Sequence, residues 1–171
     1  MNLKKFSLIT LLLLVLLTAA AVYSTDAIDM QKQDFKTVEN GANGELSIDN
    51  GVLTLDNYTF KIPEGFVEVE NYTIIDSIVE GNEMDMIASR CAFMKDNQGI
   101  EIKIMCPPTT DNGSFTEPSP QAGTDGVYKT IAGKKGVLLH ENSSAVFAYL
   151  DNGNLIQIRS TDENLINQII Q

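Results

Sequence analysis

Two Asn-Gly pairs, Asn50-Gly51 and Asn152-Gly153, each sit between short segments that alternate apolar and polar residues. Both residue types tolerate positive φ, so each pair selects a type I′ turn and with it a two-residue β-hairpin. That turn sets register. It places Ile48 opposite Leu53 and Leu46 opposite Leu55, all four on one face. At the second turn it places Phe147 opposite Ile158 and Tyr149 opposite Ile156, an aromatic–aliphatic face. Ala145 to Leu150 is apolar on both faces, as befits a central strand covered on each side.

The N-terminus follows another rule. Lys4 and Lys5 precede an uncharged, leucine-rich run from Phe6 to Tyr23, then small residues (Ala19 to Ala21, Ser24) and Asp26. Positive, apolar, small is the order of a secretory signal. The run also approaches the roughly 18 residues needed to span a bilayer, so retention as an anchor stays open. With no polar face, the run makes a poor core helix for a soluble domain. Residues 1–24 are therefore expected to be a signal peptide or N-terminal membrane anchor. Residues 25–44, polar and ending in Asn40-Gly41-Ala42-Asn43-Gly44, read as a flexible tether with room for a helical turn near Met30 to Val38. Residues 45–171 are the folded domain.

Within that domain Asp56-Asn57 turns the chain into Tyr58 to Ile62, Pro63-Glu64-Gly65 stops it, and Phe66 to Val69 resumes alternation. Ile74, Ile75, Ile78 and Val79 have helical spacing, so a helix is expected within residues 73–86. A hairpin is expected from Ile87 to Cys106, turning over Asp96 to Gly99. A long Pro-, Ser- and Thr-rich loop runs from Pro107 to Gly126 and reads equally as a lid, an interaction surface or disorder. Strands follow at Val127 to Ile131 and, after a turn at Gly133 to Gly136, at Val137 to His140. The next turn is Glu141 to Ser144. Ser160 and Glu163 have capping-box spacing before a closing helix striped with Leu165, Ile166, Ile169 and Ile170. The class is α+β: an antiparallel sheet built of hairpins with a C-terminal helix packed on it.

Tyr58-Thr59-Phe60-Lys61-Ile62-Pro63-Glu64-Gly65-Phe66 resembles the F-x-I-P-x-G-F/W opening of PsbP-like (Mog1/PsbP) domains and related small exported proteins. Phe147 to Ile170, a strand, Asp-Asn-Gly turn, strand and helix, resembles their close. The resemblance spans residues 46–171 and rests on strand and turn chemistry. It implies an antiparallel sheet covered by helices and a non-enzymatic adaptor or binding role, with no catalytic residues to carry over. The long central helix usual in that fold has no clear counterpart in this sequence.

The formal net charge is −11. Nucleic acid is gripped by Lys/Arg clusters, and this sequence has none, so nucleic-acid binding is not expected. Acidity of this size serves solubility; diffuse divalent-cation binding is the functional alternative. Cys91 and Cys106 are the only cysteines. In an oxidising compartment they are expected to bridge, both lying on the apolar face of their hairpin. A turn over Asp96 to Gly99 sets Cys91 opposite Ile104, diagonal to Cys106, and a two-residue shift would set them opposite. Two buried free thiols are the alternative. His140, the only histidine, lacks partners for a zinc site, and Ser143 and Ser144 lack a nucleophile elbow. Glu80, Glu83 and Asp85 read as a solvated acidic turn. Asp151 to Asn154 reads as a hairpin turn, without the ligand alternation of an EF-hand. Asn57, Asn71, Asn112 and Asn142 begin sequons, and Asn112 and Asn142, in loops, are the glycan candidates.

No catalytic residue, metal ligand or cofactor site is assigned, and no cofactor is expected. The leading expectation is an exported cell-envelope domain with a non-catalytic binding or structural role. Its partner is an envelope or extracellular molecule of unknown kind, and it meets the membrane only through its N-terminal segment. An extracytoplasmic hydrolase with dispersed acidic residues and a membrane-anchored sensor are the alternatives.

Overall fold

A computed structural model describes residues 36–37, 46–79, 86–107, 114–121, 123–141 and 143–171. The leader, the cluster at Glu80 to Asp85, Asn112 and Asn142 lie outside them.

The first hairpin forms as its turn dictates. β2 (Leu46–Asp49) and β3 (Val52–Leu55) pair with Leu46 opposite Leu55 and Ile48 opposite Leu53, and Asn50 and Gly51 take φ of +50° and +76°. Asp56 and Asn57, also at positive φ, return the chain into β4 (Tyr58–Lys61), completing a three-stranded sheet in the order β2-β3-β4. Leu53, Leu55 and Phe60 are buried on one of its faces; Ile48, at its end, is 44 % exposed.

The larger sheet is antiparallel, with the order β1-β6-β7-β8-β12-β11-β10-β9. Its strands are β1 (Lys36–Thr37), β6 (Ile74–Val79), β7 (Met86–Lys95), β8 (Gln98–Cys106), β9 (Val127–Ile131), β10 (Lys134–Glu141), β11 (Ser144–Asp151) and β12 (Asn154–Ser160). A two-residue strand, β5 (Val67–Glu68), continues the β6 edge by pairing with Met94 and Phe93 of β7. Lys36–Thr37 pair with Ile78 and Ser77, so part of the expected tether belongs to the sheet, where a helical turn was one reading.

The helix expected within residues 73–86 is a strand where the structure describes it. Ile74 pairs with Arg90 and Ser77 with Ala88, so β6 carries one residue more than β7 between those points. This is a β-bulge, and Asp76 takes φ +46° in it. The inserted residue puts Ile75 and Ile78 on the same side, a spacing of three that imitates a helix.

Two turns are tighter than expected. Lys95 pairs with Gln98 and Ile131 with Lys134, so Asp96-Asn97 and Ala132-Gly133 replace four-residue turns. Asp96 at φ +51° and Ala132 at +48° make this possible. The last hairpin has the expected register, Phe147 opposite Ile158 and Tyr149 opposite Ile156, and β11 lies between β10 and β12.

The core lies between the two sheets. Phe93, Ile102, Phe147 and Ile158 from the large sheet meet Leu53, Leu55 and Phe60 from the small one. Helix α1 (Glu163–Ile169) closes the same layer with Leu165, Ile166 and Ile169. Its N-cap is Asp162, whose carboxylate accepts from the Asn164 N–H. Ser160 acts one step earlier, accepting from the Asp162 N–H at 3.2 Å. Behind α1, Ile170 bridges to Phe60 of β4.

The opposite face of the large sheet is crossed by the connection from β8 to β9. Because β8 neighbours β12 while β9 is an edge, that connection has to pass β12, β11 and β10. Phe115 from it packs on Ala88 and Met105, which gives the loop a packing role.

Candidate functional site

Three turns and the C-terminus meet at one end of the molecule around a cleft of about 470 Å³. Asp56, Asn57, Tyr58 and Thr59 come from the small sheet. Lys134 comes from β10, and Tyr149, Asp151, Asn152 and Asn154 from the last hairpin and its turn, with Ile170 and Gln171 at the rim. The positive-φ turn positions explain Asp56, Asn57 and Asn152. They do not explain Tyr58, Lys134 or Asn154, which lie in strands.

Those strand residues are held together. The Tyr58 hydroxyl donates to the Asp151 carbonyl at 2.7 Å and accepts from the Asn154 amide at 3.1 Å. Lys134 Nζ sits 2.5 Å from Asp151 Oδ2 and 5.9 Å from the centroid of the Tyr149 ring. Tyr149 is stacked on Phe147 with centroids 5.5 Å apart. Burial raises the pKa of both phenols, that of Tyr58 against the opposing pull of its bond from Asn154. Both therefore stay protonated at neutral pH; Tyr58 acts as a hydrogen-bonding group, not as a base.

Asp56 is the least satisfied group in the wall. Its Oδ1 is buried without a hydrogen-bond partner. Burial raises its pKa, nearby Asp76 adds to the rise, and a hydrogen bond with Ser89 opposes it.

A second polar group lies along α1. Glu163 accepts from Lys129 and lies 3.1 Å from His140 Nε2. The bond from Lys129 is the main reason its carboxyl pKa is lowered. His140 is exposed and lies beside this acid.

The cysteines are both free. They share a face as expected, but Cys91 stands opposite Ile102 and Cys106 opposite Ile87. Four positions along a ladder are about 13 Å, against an upper Cα separation of about 7 Å for a disulfide. The expected Cys91–Cys106 bridge is thus corrected: the two-residue turn moved the register away from it. Cys91 is fully buried, and burial is the main cause of its raised thiol pKa.

Of the sequons, Asn57 and Asn71 are exposed, while the candidates Asn112 and Asn142 lie outside the described residues. Asp151 to Asn154 form the hairpin turn expected of them. Among the described residues no group of three or more His, Cys, Asp or Glu side chains is placed to hold a metal ion. The cleft was not foreseen as a unit. Tyr58 and Asp151 are 93 residues apart, and no local pattern joins them.

Comparisons with protein-family models, with curated proteins and with solved structures give no match to this chain.

Proposed function

We propose that this chain is an exported cell-envelope domain with a non-catalytic binding role, and that the cleft around Tyr58 is its binding face. The observation that carries the reading is the preorganised set of Tyr58, Asn154, Lys134 and Asp151. A neutral phenol, a fixed amide and a compensated ion pair suit recognition of a polar molecule by hydrogen bonds. The leader, positive then apolar then small, supports delivery across a membrane. Kinship with PsbP-like domains belongs to the same proposal, supported by the Tyr58 to Phe66 motif and by the closing helix.

Two measurements test it. Protease added to intact cells should digest the full-length chain, and arginines at Leu12 and Leu14 should protect it by blocking export. Protection of the unaltered chain defeats the export reading. The sequence contains no tryptophan, so Thr59→Trp places a single reporter at the cleft. Solubilised envelope polysaccharide should shift its emission, and Lys134→Ala should weaken that shift. An unchanged spectrum counts against the cleft as the site for such a ligand.

A further inference from the structure

A second cleft, of about 540 Å³, lies against β9 and β10. Tyr128 and Thr130 alternate with Ile131, whose side chain is in the core, so both point to the opposite face of the sheet. Lys135 stands opposite Thr130 on that face, and Glu117 and Pro118 of the β8 to β9 connection also line the cleft. Lys134 and Asp151 line this cleft and the Tyr58 cleft alike. They open β10 and close β11, so their ion pair is a sill that the two clefts share.

The lining sets the chemistry of what can lie there. Among the described residues, Asp56, Glu117 and Asp151 are matched by Lys129, Lys134 and Lys135, so neither a polyanion nor a polycation meets a strong net field. Tyr128 is 72 % exposed, the most exposed large apolar residue of those described, and offers a bare, electron-rich ring face. An extended peptide added to a sheet is gripped mainly through its own main chain, whereas the polar groups of these clefts are largely side chains on strand faces and in turns. A sugar chain fits both features. Its rims carry hydroxyls for Asn, Asp and Lys side chains, and its rings carry C–H faces that stack on an aromatic.

Resting on the reading of the Tyr58 cleft as a binding face, we infer that its ligand is an uncharged polysaccharide, one chain of which runs from Tyr58 across the Lys134–Asp151 pair to Tyr128. At the Tyr58 end Asn152 and Asn154, which line that cleft, take its hydroxyls. At the far end the Tyr128 ring stacks on a sugar face. A chain too short to pass Lys134 forgoes the contact with Tyr128.

Envelope polysaccharide, cut by partial acid hydrolysis and sorted by length, tests this in calorimetric titrations of the full-length chain in detergent. A hexasaccharide should bind about tenfold more tightly than a disaccharide. Tyr128→Ala should cost the hexasaccharide about tenfold in affinity and leave the disaccharide unchanged, and Tyr128→Phe, which keeps the ring, should bind both as the unaltered chain does. Lys134→Ala should weaken both. Equal affinity at the two lengths, or indifference of the hexasaccharide to Tyr128→Ala, overturns the two-cleft chain and leaves the Tyr58 cleft in place. Tighter binding of hexa-alanine or of a sulfated hexasaccharide overturns the ligand class in the same way. Absence of binding at every length, or binding indifferent to Lys134→Ala, defeats this inference and the Tyr58 cleft together.

Discussion

Ala132 takes φ +48° at the first position of its turn, where a β-carbon costs about 1–2 kcal/mol and type I′ turns favour asparagine. Ala132→Asn should therefore stabilise the protein by about 0.5–1 kcal/mol in denaturant titration. Asp56 makes the opposite kind of compromise. Its folded pKa lies above the ordinary value of 3.8, so the native state holds the proton more tightly than the unfolded chain does. Its favourable contribution is complete below the unfolded pKa and is lost as pH rises through the folded one. Asp56→Asn should raise the melting temperature at pH 7, and the gain should vanish below about pH 4. A gain that persists in acid would trace the effect to turn geometry instead of charge. Single residues also show where the sequence was legible. Asn50-Gly51 and Asn152-Gly153 announced both register and face, since a two-residue turn leaves one solution. Ala132 carried no such signal, because an alanine at positive φ is set by the strands on either side of it.

At the scale of elements, β10 depends on Gly136. A β-carbon there would lie 2.2 Å from the Ala148 carbonyl oxygen and 3.0 Å from the Phe147 ring. Backbone cannot yield as a flexible side chain can, so Gly136→Ala should cost at least about 2 kcal/mol, read as a shift of the unfolding midpoint. Helix α1 has seven residues, too few to stand alone, and its place depends on Ile166, which is fully buried. Ile166→Ala should cost about 2–5 kcal/mol and loosen the contact between the two sheets. The closing helix was legible because its apolar stripe and acidic first turn are local. β6 was not legible, because a bulge shifts the alternation by one residue and the pattern then matches a helix.

For the molecule as a whole, Cys91 reports on opening of the core. It is fully buried between the sheets, whereas Cys106 is partly exposed. At neutral pH an alkylating reagent should modify Cys106 first. Cys91 should react only through unfolding, at a rate that falls in step with rising stability across the variants above. Prompt labelling of both thiols would contradict the packing described.

The amino-acid pattern by itself determined the antiparallel hairpins, their inward faces and the terminal helix, because turn chemistry and side-chain period act over a few neighbouring residues. Only the tertiary structure decided that two sheets enclose the core, that Cys91 and Cys106 stand apart, and that Tyr58, Lys134, Asp151 and Asn154 share a cleft. Those outcomes depend on how distant strands stack, and stacking is governed by the shape of whole faces, which no short stretch of chain encodes.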